Sequence, residues 1–305
     1  MSGKFQGYLY LSLAMILVGS TVIASKVIAV GLAPFTATAL RFAVAFPLFL
    51  LLMWFTRTSW PKLKVRDWLL LTAQAGAGSV GYTTLLISGL RLTSATDAGV
   101  VIGTLPVVSA AIAIVVLSER PDRRVLAAIV LAAVGVLTIV FKPSEGGVHS
   151  ALGIALIFGA VICEGLFILL NKRVKTEISP LALSTLMAVL GFAVALVPAL
   201  FETPSAEQID RSAIVAVLYY ALIPTVAGFV LWYAGSARVS GTEASVFTAL
   251  APVSAVLFAF LLLGEPVGVH QLLGIGCVLA AVLGLTLPQI LAGRRTARAL
   301  PAAEA

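Results

Sequence analysis

The sequence predicts an all-α polytopic membrane protein with ten transmembrane helices arranged as two inverted five-helix repeats. Three observations lead to this fold class. First, 60% of the 305 residues are hydrophobic and only 11% are charged, whereas soluble domains carry roughly 25% charged residues. Second, ten apolar segments are separated by short polar breaks. Third, the two halves of the chain carry matching residues at a nearly constant separation.

Each apolar segment is close to the ~20 residues that cross a bilayer as a helix. The predicted spans, numbered first to tenth, are about 7–29, 34–55, 67–90, 95–118, 123–141, 151–171, 179–200, 212–236, 241–264 and 269–291. They are continuously apolar, which excludes a membrane β-barrel, because barrel strands alternate apolar and polar residues. We therefore expect helical spans joined by short connections, with no separate soluble domain.

Basic residues are concentrated on one side of this topology. With the amino terminus in the cytoplasm, the inner connections hold 15 Lys and Arg residues and the outer ones hold 4, with Arg41 left inside the second span. Such a bias is typical of the positive-inside rule. We therefore expect a multi-pass protein of the inner (cytoplasmic) membrane with both termini in the cytoplasm. No basic patch interleaved with aromatic residues indicates nucleic-acid binding.

A shift of 146 positions superposes the two halves of the chain. It places Gly7 on Gly153, Pro34 on Pro180, Gly89 on Gly235, Pro106 on Pro252 and Glu119 on Glu265. Because each copy has an odd number of spans, the second copy enters the membrane from the opposite face. Inverted repeats are typical of secondary transporters, whose substrate sites lie near the midplane between the repeats. The copies are predicted to occupy residues 1–147 and 148–305, the second ending in a short basic tail.

Several of these residues also carry a resemblance to a known family. They are Ala33, Pro34 and Arg41 in and before the second span, Thr96, Pro106 and Glu119 around the fourth, Ala251, Pro252, Gly264 and Glu265 around the ninth, and Gln271 and Gly274 around the tenth. Over about residues 7–291 the chain resembles the drug/metabolite transporter (DMT) superfamily, and within it the EamA (RhaT-like) ten-helix exporters. The resemblance implies an inner-membrane transporter of small metabolites, often amino acids or drugs, with a central cavity. The family commonly has a tryptophan near the glycine of the first span, where this chain has Val18 and, in the second copy, Glu164.

Glu164 and Arg41 are the two charges deepest within apolar segments. A rise of about 1.5 Å per residue places Glu164 roughly 20 Å and Arg41 roughly 10 Å from the outer ends of their spans. Charges at such depths usually face a cavity or a partner. In the favoured interpretation, Glu164 receives the substrate's ammonium group or a coupling proton, and Arg41 orients the substrate's carboxylate. The alternative makes Arg41 a snorkelling residue and Glu164 a protonated packing residue, and whether the two side chains pair is left open.

Two further sets of residues are candidates for the cavity. Gln74, Tyr82, Tyr219 and Trp232, inside the third and eighth spans, line the cavity or anchor the protein in the membrane interface. Pro106 and Pro252 interrupt corresponding helices and free the carbonyls four residues earlier, at Ile102 and Thr248. In lipid such groups are tolerated only against protein or a water-filled cavity. Paired interruptions therefore point to a transport site, the alternative being a kink that only eases packing.

Three other patterns are interpreted as structural. Ser94 to Asp97 and Ser240 to Glu243 each fit a helix capping box. Glu119 and Glu265 close the fourth and ninth spans, and a role in fixing loops through a compensating partner is favoured over the alternative of coupling to the substrate. Arg120, Arg123 and Arg124 are available to Glu119. Small residues at Gly276, Ala280 and Gly284 share one face of the tenth span. Such a face packs closely against another helix, within the protomer or in a second copy, so monomer and homodimer both stay open.

The sequence predicts a carrier and not an enzyme. The two histidines, His149 and His270, lie at helix ends, no HExxH motif occurs, and Cys163 and Cys277 lack metal-binding spacing. No cofactor or metal is therefore expected, and nothing resembles the selectivity filter of a channel. Phosphorylated sugars require several buried cations, whereas only Arg41 lies clearly within a span. The predicted function is export of amino acids or related zwitterions by alternating access, with efflux of drugs or organic cations as the alternative.

Overall fold

The computed structural model describes residues 3–92, 101–140, 150–202, 210–263, 269 and 272–284. These residues form helices and no strand, which confirms the predicted fold class. The first copy contains Gly3–Gly31, Pro34–Phe55, the continuous run Val65–Gln74, Ala75–Tyr82 and Thr83–Leu90, then Leu105–Leu117 and Arg123–Val140. The second contains Ala151–Leu170, Pro180–Ala199, the continuous run Arg211–Tyr220, Ala221–Ala227 and Gly228–Ser236, then Gly241–Phe247, Leu250–Leu263 and Leu272–Gly284. Each predicted span thus contains described helix.

Five described helices are long and apolar enough to cross a bilayer by length and composition. They are Gly3–Ala29, Pro34–Phe55, Ala151–Leu170, Pro180–Ala199 and Arg211–Ser236, with mean hydropathies between 1.9 and 2.5. Shorter apolar helices lie at Leu105–Leu117 and Leu272–Gly284, next to ranges outside the described residues. The boundary between the two predicted copies, 147/148, also lies outside them.

Matching residues begin the second span and the seventh span, its counterpart in the other copy. Pro34 and Pro180 each occupy the first turn, where a missing backbone N–H costs no helical hydrogen bond. The preceding residues, Ala33 and Ser179, are extended, and the Ser179 hydroxyl accepts a hydrogen bond from the Ala182 N–H at 3.3 Å. Short connections therefore turn the chain sharply at both places.

Packing between the copies follows a two-fold pattern. The first span packs against the eighth and ninth, and its counterpart, the sixth, packs against the third and fourth. The second span packs against its own counterpart, the seventh, and the fourth packs against the ninth. Exchanging the copies therefore reproduces the same set of helix pairs, as an axis in the membrane plane requires.

Glycines permit two of these crossings at equivalent positions. A Cβ at Gly235 in the eighth span would lie 2.9 Å from the carbonyl oxygen of Gly7 in the first. A Cβ at Gly89 in the third span would lie 3.0 Å from the carbonyl oxygen of Gly153 in the sixth. The 146-residue shift superposes these two pairs. The repeat detected in the sequence is therefore also a repeat in how the helices cross.

The capping box predicted at the start of the ninth span is confirmed. The Ser240 hydroxyl accepts from the Glu243 N–H at 3.1 Å, and the Glu243 carboxylate accepts from the Ser240 N–H at 2.9 Å. The corresponding pattern, Ser94 to Asp97, lies outside the described residues.

On the tenth span, a Cβ at Gly276 or Gly284 would meet nothing within 4 Å among the described residues, so this small-residue face has no packing partner there.

Candidate functional site

A cavity of about 50 Å³ lies between the two copies. Its walls come from the first, second and third spans of one copy and the sixth and eighth spans of the other. A buried water occupies roughly 10–15 Å³ on this scale, so the present space suits a few waters and no larger molecule. Polar and aromatic side chains make up much of its lining, which marks it as the candidate substrate site.

Repeat-related residues face each other across this cavity. Five pairs separated by 146 positions line it: Val18 with Glu164, Thr21 with Phe167, Gly78 with Pro224, Tyr82 with Gly228, and Thr83 with Phe229. The pseudo-two-fold axis therefore passes through the cavity. No pair has the same residue twice, so the walls contributed by the two copies differ in chemistry.

A π-helical segment borders the cavity in each copy. Ala75–Tyr82 lies within the third span and Ala221–Ala227 within the eighth, starting 146 positions apart. Pro224 has no N–H to donate, and the Thr225 hydroxyl instead donates to the Tyr220 carbonyl at 2.8 Å. π-Helical turns inside α-helices occur frequently at functional sites. Neither segment was predicted from the sequence, although Pro224 and the glycine-rich run 75–82 were available signals.

Glu164 carries the one carboxylate among the residues that line this cavity. It lies in the middle of the sixth span and is partly buried. Within the described part of the chain, its side chain makes no hydrogen bond and no ion pair. Such a carboxylate is costly in a membrane unless a cavity, a cation or a proton compensates it. Glu164 is therefore available to a positively charged group that enters the cavity.

Arg41 lines the same cavity and is only 5% exposed. Its guanidinium donates to the Ser79 carbonyl at 2.9 Å and to the Thr83 hydroxyl at 3.2 Å. It also lies 4.2 Å from the ring centre of Phe42 and 4.5 Å from that of Tyr220. The snorkelling alternative is therefore wrong, because the side chain points inward. Its Nε–H has no partner among the described atoms, and no ion pair joins it to Glu164 there.

The remaining predicted cavity residues separate into two groups. Tyr82 and Trp232 line the cavity, and the Trp232 indole N–H is buried without a partner in the described structure. Gln74 does not line the cavity. It is fully buried, and its amide donates to the carbonyl of the cavity residue Phe167 at 2.6 Å. Tyr219 does not line the cavity: it is 39% exposed and its hydroxyl donates to Ser20 at 2.7 Å.

The residue that lines the cavity in place of Tyr219 is its neighbour, Tyr220. Successive residues of a helix point about 100° apart, because a turn takes 3.6 residues. An error of one position therefore moves a side chain from the cavity to the outer surface.

The predicted helix interruptions are present beside the cavity but do not line it. The ninth span is broken between Gly241–Phe247 and Leu250–Leu263, and the fourth resumes as Leu105–Leu117 after a turn. Pro106 and Pro252 each lie in the first turn of the resumed helix, and neither they nor Ile102 and Thr248 line the cavity. The Thr248 carbonyl is not free, since it accepts from the Ala251 N–H at 3.1 Å in a tightened turn. Ile102 packs beside Tyr82 and Leu86.

Polar side chains bond across and within the copies at the end that holds the predicted inner connections. The Glu119 carboxylate accepts from the N–H groups of Gly241 and Thr242 at 2.8 and 2.9 Å. Its compensating partner is therefore the start of the ninth span and not the neighbouring arginines. At the same end but within the second copy, Lys172 donates to the carbonyls of Ser236 and Val239 at 2.9 and 2.7 Å, and burial lowers the pKa of this lysine below its ordinary value.

A family model matches the chain twice, at residues 5–141 and 151–287, and its description is the EamA-like transporter family. The chain belongs to this family. It is therefore a multi-pass membrane transporter of the DMT superfamily and not an enzyme. One match lies in each of the two halves that surround the cavity, so the candidate site lies where the two matched segments meet.

Three comparisons place this EamA protein among known proteins. It is 34% identical over 283 residues to "Uncharacterized transporter YetK" of Bacillus subtilis, covering 90% of this chain and 85% of the relative. It is 30% identical over 177 residues to "Probable amino-acid metabolite efflux pump" of Salmonella typhimurium, covering 55% of this chain and 59% of that protein. A crystal structure with 18% sequence identity superposes with a TM-score of 0.75, covering 92% of this chain and 98% of the other, which supports the fold.

Proposed function

We propose that this EamA transporter exports amino acids or related zwitterions across the cytoplasmic membrane by alternating access. One observation carries the proposal: a guanidinium and a carboxylate that has no partner among the described residues line the same cavity on the axis between the copies. A zwitterion carries one charge of each sign, so it complements both groups. A ligand with several negative charges does not, because Glu164 would repel it.

Each part of the zwitterion has a counterpart in the lining. Glu164, whose side chain makes no hydrogen bond or ion pair among the described residues, receives the ammonium group. The Nε–H of Arg41 and the indole N–H of Trp232, both without partners in the described structure, are the available donors to the carboxylate. Phe167 and Phe229, whose ring centres are 5.5 Å apart, offer an apolar surface to the substrate side chain.

The size of the cavity supports a mechanism in which the copies move. Small-molecule sites usually enclose 300–1,000 Å³, so about 50 Å³ is too small to hold an amino acid. The cavity therefore expands to admit substrate. Because its walls belong to different copies, rocking one copy against the other changes its volume, which is the motion expected for inverted repeats.

A coupling proton is the alternative ligand of Glu164. A proton and an ammonium group both neutralise the carboxylate, so they compete for one site. Protonation of Glu164 then releases the substrate's ammonium group, which couples proton entry to substrate exit.

Efflux of organic cations is the second candidate function. Both terminal nitrogens of Arg41 already donate hydrogen bonds within the protein, which leaves Glu164 as the charged group most open to a ligand. A cationic amine needs only that group. The name of the Salmonella relative favours the zwitterion instead, over the 55% of this chain that the match covers.

Counterflow in proteoliposomes tests the proposal and separates the two candidates. Vesicles preloaded with an unlabelled apolar amino acid should accumulate the labelled amino acid transiently, whereas the amine that lacks only its carboxylate should compete at least about tenfold more weakly. Equal or better competition by the amine would favour organic-cation efflux. Flux without acceleration by preloaded substrate would contradict a carrier, since exchange requires alternating access.

The orientation is part of the same proposal: both termini face the cytoplasm in the inner membrane. The 15-to-4 distribution of basic residues supports it. Single cysteines at Ser144 and Ser205, in a chain lacking Cys163 and Cys277, should react with impermeant thiol reagents from outside. Labelling only from the inside would contradict this orientation and indicate the opposite one. Both positions lie outside the described residues.

A further inference from the structure

The second span ends in a turn that an arginine rarely occupies. Arg57 has a φ of 51°, in the left-handed region. The Thr58 N–H donates to the Met53 carbonyl at 2.9 Å and the Arg57 N–H donates to the Trp54 carbonyl at 3.2 Å. These two bonds form a Schellman motif, in which the left-handed position usually holds glycine. A Cβ is sterically unfavourable in this conformation, so the fold does not favour arginine at this position.

The left-handed arginine lies at a groove remote from the central cavity. The groove encloses about 630 Å³ and is lined by Leu50, Met53, Trp54, Phe55, Arg57, Thr58 and Trp60. Trp54, Phe55 and Trp60 are 71%, 66% and 53% exposed. Tryptophan at the end of a membrane span is typical of the lipid headgroup level. The groove therefore lies where a lipid headgroup meets its acyl chains.

The charge beside the groove is positive and has no internal partner. The side chains of Arg57, Lys62 and Lys64 are exposed and make no hydrogen bond or ion pair within the described part of the protein. All three belong to the connection between the second and third spans. Below them, the outward faces of Leu50, Leu51 and Leu52 are between 38% and 47% exposed. The surface thus combines cations at the helix end with an apolar track along the helix.

We propose that this groove binds an anionic phospholipid. Arg57 binds the headgroup phosphate, Trp54 and Trp60 flank the glycerol region, and the acyl chains follow the leucines of the second span. Charge complementarity selects this occupant, because anionic lipids attract clustered Lys and Arg beside a span. The inference is independent of the transported substrate, since no residue of the groove lines the central cavity.

Binding of phosphatidylglycerol to the purified full chain, titrated in detergent and followed by native mass spectrometry, tests the proposal. Arg57→Gly should weaken binding about fivefold, because one surface cation contributes about 1 kcal/mol. The same variant should unfold at an equal or higher temperature, because glycine suits the left-handed turn. Lys175→Gln removes an exposed cation outside the groove and should change binding by less than twofold.

Four results would overturn the proposal. They are equal losses for Arg57→Gly and Lys175→Gln, no loss for Arg57→Gly, equal binding of phosphatidylcholine, and displacement of the lipid by millimolar inorganic phosphate. The first indicates diffuse attraction to the whole surface, and the last indicates a phosphate site without a lipid. Retained binding in Arg57→Lys, with the loss in Arg57→Gly, would support the proposed contact with phosphate.

Discussion

The two copies carry the same residues where their helices cross, but different residues where they line the cavity. At the crossings, Gly7 meets Gly235 and Gly153 meets Gly89, so equivalent positions keep the same residue. At the cavity, Val18 is equivalent to Glu164, and buried Met187 is equivalent to Arg41. The positions at these two crossings retain the repeat, whereas the equivalent positions that line the cavity have lost it.

Because of this difference, a scaffold of two repeated copies presents two chemically unlike walls to the proposed substrate. If both copies carried the same charged residue, the cavity would present two like charges across the axis. Here the carboxylate comes from one copy and the guanidinium from the other. The proposed zwitterion therefore has one favoured orientation in the cavity, with its ammonium group toward Glu164 and its carboxylate toward Arg41.

Replacing Arg41 by methionine gives both copies the same residue at this position and is expected to have the largest effect. Transport of an amino acid should fall by at least about tenfold, because a charged hydrogen bond contributes roughly 1.5–3 kcal/mol. The Ser79 carbonyl also loses its donor, so the unfolding temperature should drop. Counterflow and thermal unfolding measure the two effects.

The corresponding amine serves as the control substrate for Arg41→Met. Because the amine has no carboxylate, Arg41→Met should transport it nearly as fast as the wild-type protein does. Equal loss for both substrates would mean that Arg41 acts only by stabilising the third span.

Gly78→Ala should have the next largest effect. A Cβ at Gly78 would overlap the side chain of Phe167, which lines the cavity. Overpacking of this kind costs about 1–3 kcal/mol and pushes Phe167 out of position. We expect a lower unfolding temperature and severalfold slower transport. Gly76→Ala is the matched control in the same π segment, because its Cβ would meet nothing within 4 Å. Similar effects of both variants would show that the segment tolerates no side chain at all.

Pro106→Ala and Pro252→Ala test whether the paired helix breaks have a common purpose. Each restores a backbone donor in the first turn after a break, so the protein should insert and purify normally. Transport should fall roughly threefold, a loss below 1 kcal/mol, because the break beside the cavity straightens. Wild-type transport in both variants would make the breaks packing features.

The sequence predicted the features that depend on composition and local pattern. Ten apolar segments, the 146-residue shift and the Ser240 to Glu243 capping box all follow from residues near one another or from an intact repeat. These features need no knowledge of which helix faces which. The broken spans could be predicted from Pro106 and Pro252 alone, because proline lacks a backbone N–H in any surroundings.

Features that depend on the rotation of a helix or on contacts between spans could not be predicted from the sequence. Tyr220 rather than Tyr219 reaches the cavity, because neighbouring residues of a helix point about 100° apart. The partner of Glu119 comes from the start of the ninth span, more than 120 residues away. The Ser79 carbonyl, which binds Arg41, belongs to the third span. No local pattern indicates such partners, because they are decided by packing of distant segments.

Glu164→Gln gives the most direct test of the claim that the diverged carboxylate binds the substrate. Glutamine is nearly isosteric with glutamate and retains hydrogen bonding, so the variant isolates the charge. Counterflow of the amino acid, measured across a range of pH, should fall by at least about tenfold and lose its dependence on pH. Cys163→Ala, the neighbouring position, should transport like the wild-type protein. Normal transport by Glu164→Gln with an unchanged pH profile would contradict the account.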